Sequence, residues 1–247
     1  MAAMHRSNAP LNAAAHRAQR VTARPPARAH AVCRCSNASA SLAKLIENPA
    51  LQKVLAELDA LHREDPRKIE VDGVEVPYEL AYSQWLTEWV KKLTADGQPA
   101  LSDELLIVAK GQHVRRWTSL RTDYPEGRAG YLKWREDLKK FHAATVTQLM
   151  AAAGYPQQSC AKVDGLINKK LLKEAEGQVV EDALCLVFME RQFSDLLLKE
   201  GHERMVDIVR KTWRKMGPKG RAAALTLALA PEEAAVVSQA LQPADST

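Results

Sequence analysis

From Leu42 onward the apolar positions fall at intervals of three and four. Leu42, Leu45 and Ile46, then Val54, Leu55, Leu58 and Leu61, keep helical spacing, with Asn48-Pro49 breaking them into two pieces. The exception is Ile69 to Val76, where residues alternate about Asp72-Gly73, a type I′ turn signal. That predicts one small β-hairpin over 69–76, not the seed of a sheet. Helical period resumes at Pro77 through Leu80, Trp85, Leu86, Trp89 and Leu93, and stops at Asp96-Gly97. Ser102 or Asp103 caps a helix reaching His113 and Trp117, and a polar loop from Thr118 to Gly130 leads into a long helix, Tyr131 to Ala153. Gly154-Tyr155-Pro156 is a stop and restart. Further helices are expected over 157–172, 176–200, 202–216 and 218–229, with a short one after Pro231. The fold class is all-α, a single helical domain over 36–241 with a flexible tail at 242–247.

The most apolar stretch, Val179 to Met189, holds Glu181 and Asp182 side by side near its start. A helix apolar on nearly every face is buried. Its two carboxylates must then be paired, metal-bound or at the mouth of a cleft, because an uncompensated buried charge is costly.

Charge changes the picture at the N-terminus. Six arginines (Arg6, Arg17, Arg20, Arg24, Arg28, Arg34) and no carboxylate precede Glu47. This is the composition of an organelle transit peptide over 1–35, cleaved near Cys33-Arg34-Cys35. The expected destination is the chloroplast, with the mitochondrion as the alternative. Without that segment 29 basic residues face 30 acidic ones, so the formal +5 of the whole chain is no argument for nucleic acid. No run approaches the length of a membrane span. Cys160 and Cys185 form no CxxC pair and no disulfide framework.

Candidate chemistry gathers on several helices. Glu79 stands at the start of one, His113 near the end of the next, His142 in the middle of the fourth and Asp182 in the buried one. One ligand from each of several helices is how bundle cores hold metals, and mixed imidazole and carboxylate donors suit Mn, Fe, Co, Ni or Zn. Adjacent helical residues point about 100° apart, so Asp182 is taken as the ligand and Glu181 as the water-activating base. Arg115 and Arg116 suit a phosphate, and Lys133 and Arg135 add charge nearby. Bland readings stand beside these: histidines bonded within the core, Glu181 and Asp182 in ion pairs with Arg115, Arg116 or Arg135, and lysines on a solvated face. Trp117, Tyr124, Tyr131 and Trp134 among the arginines could stack bases or pack a loop with cation–π help.

Several segments carry a resemblance: Glu79-Leu80-x-Tyr82, Gln112-His113-Val114-Arg115-Arg116-Trp117, Gly130-Tyr131-Leu132-Lys133-Trp134-Arg135, Phe141-His142-Ala143, Glu181-Asp182-x-x-Cys185 and Lys211-Thr212-Trp213-Arg214-Lys215-Met216. From Tyr78 to about Leu229 the chain resembles family 4202 of the domains of unknown function. Members sometimes carry the label glutamyl-tRNA synthetase, but this chain has no nucleotide-binding motif and no α/β pattern to support it. The helical order also resembles a divergent HD-domain metal-dependent phosphohydrolase. That resemblance implies metal ligands at Glu79, His113, His142 and Asp182, with Gln112-His113 where such proteins carry a His-Asp pair.

The leading expectation is therefore a metal-dependent phosphohydrolase acting on a small phosphorylated or nucleotide-like molecule through a divalent transition metal, if the chain is an enzyme at all. The alternatives are a non-catalytic module binding a phosphorylated ligand or RNA, with nucleic acid not favoured, and a structural protein of an organelle.

Overall fold

The computed structural model describes residues 47–242. The transit-peptide and cleavage expectations, the turn of helix at Leu42 to Ile46 and the tail beyond Gln242 lie outside the described residues. Among these residues the chain runs α1 (Pro49–Arg63), β1 (Lys68–Val71), β2 (Val74–Pro77), α2 (Tyr78–Leu93), α3 (Asp103–Gly111), α4 (Gly127–Ala152), α5 (Gln157–Ile167), α6 (Ala175–Val187), a π-helical turn (Phe188–Gln192), α7 (Phe193–Glu200), α8 (His202–Lys215), α9 (Pro218–Ala224) and α10 (Pro231–Leu241). The fold is all-α with one two-stranded antiparallel hairpin. None of these helices is long and apolar enough to cross a membrane.

Local chemistry explains most boundaries. Asn48 caps α1 by accepting from the Ala50 N–H, with Pro49 at the first helical position, and Ser102 caps α3 by accepting from the Leu105 N–H. The hairpin pairs Ile69 with Val76 and turns on Asp72 and Gly73, both with positive φ (51° and 80°), as a type I′ turn requires.

Helix α3 is the hub. Leu105, Leu106, Ile107, Val108 and Ala109 are all buried, and the helix packs against α1, α2, α4, α5 and α6. An apolar surface all round is what a central helix needs. Its last residue, Gly111, allows close approach to α4: a Cβ there would fall 2.4 Å from Val146 Cγ2. The end of α3 is thereby pressed against α4 one turn from His142.

Several boundaries differ from the sequence expectation, among them the ends of the helices expected over 157–172 and 218–229, which stop at Ile167 and Ala224. Helix α3 ends at Gly111 rather than reaching Trp117, and two short 3-10 turns follow, with Arg115 in the left-handed region (φ 50°) between them and the helix. Helix α4 begins at Gly127, inside the expected loop. The helix expected over 176–200 is interrupted by the π-turn.

Candidate functional site

The hairpin brings the first element of the site into place. Asp65, just after α1, accepts from the backbone N–H of Glu79 at 3.0 Å and from Arg67 at 3.0 and 2.8 Å. Arg67 then reaches over to Glu79 Oε1 at 2.7 Å. Glu79 is fully buried at the start of α2, so this guanidinium is what makes a carboxylate tolerable there. Burial acts to raise the Glu79 carboxyl, but the His113 ring and Arg67 outweigh it and hold the group at about 2.

The second oxygen, Glu79 Oε2, lies 3.2 Å from His113 Nδ1. They face each other as an ion-pair contact, and neither atom has any other hydrogen-bond partner among the described residues. Tyr82, one turn along α2, stacks on the His113 ring at 4.2 Å between centroids. Burial pushes the His113 pKa down against the pull of Glu79.

His142 stands opposite on α4, its ring centroid 6.1 Å from that of His113. Its Nδ1 donates to the Val114 carbonyl at 2.8 Å, which leaves Nε2 with the lone pair. That nitrogen is buried and has no partner among the described residues. Burial, then the neighbouring His113, push the pKa of His142 down to about 3, so the ring is neutral at ordinary pH.

Above this floor opens a cleft of about 280 Å³ between α4, α6 and α8, lined by Gln112, His113, His142, Cys185 and five cations: Arg116, Arg135, Lys139, Lys169 and Lys215. Arg116 stacks on Trp134 at 4.8 Å and has no hydrogen-bonding or carboxylate partner for its guanidinium among the described residues. Burial lowers its pKa, yet an arginine stays charged. Arg135 donates to the Tyr131 hydroxyl at 3.1 Å and likewise lacks a carboxylate. Lys139 is paired with Glu136, and Lys169 with Glu181 at 2.5 Å. Lys169 adopts φ 59° in the turn that ends α5, where its N–H bonds the Leu166 carbonyl and that of Lys170 the Gly165 carbonyl. Glycine is the usual occupant of such a left-handed cap, and a side chain there costs about 1 kcal/mol.

The structure corrects four of the expected assignments. Asp182 does not join Glu79, His113 and His142. It accepts from the Gly217 N–H at 2.7 Å, the Gly220 N–H at 3.2 Å and Gln178 Nε2 at 2.8 Å, anchoring the start of α9. A Cβ at Gly220 would lie 2.5 Å from Asp182 Cγ, so the glycine is what admits the carboxylate. Glu181 does line the cleft, but as the ion-pair partner of Lys169 rather than as a free base. Arg115 turns outward to Glu64 at 3.0 Å. Lys133, 67% exposed, pairs with Asp137 on the helix surface. Glu79, His113, His142, Arg116 and Arg135 remain as the predicted residues that converge.

Lys169, Lys215 and Gln112 join the cleft without having been singled out as site residues. Lys215 belongs to a basic run, Arg210 to Lys215, that reads as a helix surface, and Lys169 had no signal because its direction depends on a left-handed turn. His62 was also missed. It is fully buried and its Nε2 bonds the Lys110 carbonyl at 2.7 Å.

No three His, Cys, Asp or Glu side chains converge as a metal cage among the described residues. Glu79 Oε2 and His113 Nδ1 have the spacing of two ligands on one ion, roughly 3.3 Å for tetrahedral bonds.

Fold and site together define an all-α protein with a cationic cleft over a buried histidine–carboxylate floor. The chain belongs to the family described as Domain of unknown function (DUF4202), which it matches over residues 52–237. Neither a curated protein nor a solved structure matches it.

Proposed function

We propose that the cleft binds a small phosphorylated molecule. The observation that carries this reading is Arg116: a half-buried guanidinium over the Trp134 ring, 4.8 Å from its centroid, that feels the Glu79 carboxylate at a distance but has no hydrogen-bonded or ion-paired anion among the described residues. Charges withdrawn from water ordinarily come paired, so a bound anion would complete the site. Five cations and a single carboxylate line the cleft, and the guanidinium fork matches phosphate oxygens in two-point contact. The volume is at the small end of ligand pockets, which favours a metabolite over a polymer. Titration calorimetry with phosphomonoesters tests it, with Arg116→Met as the control that keeps the stacking surface and removes the charge.

A second reading, metal-dependent hydrolysis of a phosphate ester in the HD-like manner, is favoured by the facing pair Glu79 Oε2 and His113 Nδ1, 3.2 Å apart, which have no other partner among the described residues. Those two residues would hold a divalent transition ion, which when bound would polarise a phosphoryl oxygen and acidify water. With Glu181 paired to Lys169, the Nε2 of His142 would accept a hydrogen bond from a water in the cleft and orient it. Metal content by mass spectrometry tests it: near-stoichiometric metal, lost in His113→Ala and retained in Asp182→Ala, supports this reading, and a metal-free folded protein after growth in supplemented medium removes it.

A further inference from the structure

The walls and the floor of the cleft ask for different chemistry. The walls present cations. The floor presents two hydrogen-bond acceptors with no donor among the described residues: His142 Nε2 and Gln112 Oε1. His142 is 2% exposed and lines the cleft, and its Nδ1–H is committed to Val114, which fixes Nε2 as the lone-pair nitrogen. A buried acceptor without a donor is costly, and a phosphate cannot help, because at neutral pH its oxygens are acceptors too. The ligand that satisfies both ends carries a phosphate at one end and donors at the other. An ammonium donor would meet the repulsion of five nearby cations, whereas a hydroxyl would not.

We propose that the ligand is a phosphorylated polyhydroxy compound of the sugar-phosphate class, its phosphate on Arg116, Arg135 and Lys215 and its hydroxyls donating to His142 Nε2 and Gln112 Oε1. The inference rests on the phosphate reading of the cleft and assigns His142 as a specificity-determining residue. A site built to accept from a hydroxyl rejects the analogue that lacks it, because its own polar groups then stay unpaired.

The test is calorimetric titration of the chain with ribose 5-phosphate and with methyl phosphate, in the wild type and in His142→Leu. The wild type should prefer ribose 5-phosphate by at least about tenfold, the value of one satisfied buried acceptor, and His142→Leu should bring the ratio towards one. Equal affinities in the wild type overturn the sugar assignment and leave the phosphate site standing. Binding of neither compound overturns both. A preference that survives in His142→Leu overturns the role of His142, and a preference that needs added Mn²⁺ and vanishes with chelator puts a metal on the floor instead. Should His142→Leu fail to fold, titration of the wild type with 2-deoxyribose 5-phosphate supplies the second arm: undiminished affinity contradicts the proposal, and a loss supports it.

Discussion

Glu79 and His113 meet at 3.2 Å, carboxylate oxygen to ring nitrogen, and neither atom has another hydrogen-bond partner among the described residues. The pair survives there because Arg67, delivered by the hairpin, holds the other oxygen of Glu79 at 2.7 Å. Removing the guanidinium leaves a fully buried carboxylate facing only an imidazole. Arg67→Met should destabilise the protein by about 2 kcal/mol, reduced from the usual value for a fully buried pair because Arg67 is partly exposed. Adding Glu79→Gln should recover part of the loss. A double-mutant cycle by urea denaturation measures both.

His142 links stability to pH. Its folded pKa of about 3 lies below the value of 6.5 that it takes when unfolded. Between those values the unfolded chain binds the extra proton, so stability falls as pH drops from 6.5 towards 3, with a slope approaching 1.4 kcal/mol per pH unit at most, roughly. Glu79, held at about 2, adds loss only as pH falls below 4.5. Denaturation midpoints at pH 7 and pH 5 should therefore differ in the wild type and differ less in His142→Gln.

Asp182 is structural in this fold. Asp182→Ala should cost about 2 kcal/mol, because two backbone N–H groups at the start of α9 lose their acceptor. Affinity for phosphomonoesters should be unchanged in the fraction that stays folded. A large loss of affinity with stability intact would return Asp182 to the site.

Glu181 competes with any anion for Lys169. Glu181→Gln keeps the shape and frees the ammonium, so phosphomonoester affinity should rise severalfold, and more at low salt than at high salt. Titrations at two ionic strengths check this.

Much of the architecture was legible from the chain because helical period and cap chemistry agreed: Asn48-Pro49, Ser102 and Gly154-Tyr155-Pro156 mark real boundaries, and Asp72-Gly73 marks the real turn. The early end of α3 was not legible. Gln112 to Trp117 keeps a helix-compatible composition, and the break depends on Arg115 adopting a left-handed conformation that its sequence does not advertise. The π-turn at Phe188–Gln192 hides in the same way within an uninterrupted apolar run. At the site, Glu79, His113 and His142 could be picked out as polar residues on otherwise apolar helix faces. The choice between Glu181 and Asp182 could not be made that way. Adjacent helical positions diverge, but which one faces the cleft is set by α9, where Gly217 and Gly220 offer Asp182 two N–H donors. Arg115 and Arg116 posed the same problem, and a single left-handed residue sends one to Glu64 and the other into the cleft.

The most direct test is titration of the wild type and Arg116→Met with a phosphomonoester at low ionic strength, alongside their denaturation midpoints. The wild type should bind, and Arg116→Met should lose at least about tenfold in affinity. Its midpoint should change little, since the half-buried guanidinium has no hydrogen-bonded or ion-paired partner among the described residues to lose. No binding by the wild type, or equal binding by a folded Arg116→Met, would contradict the phosphate site.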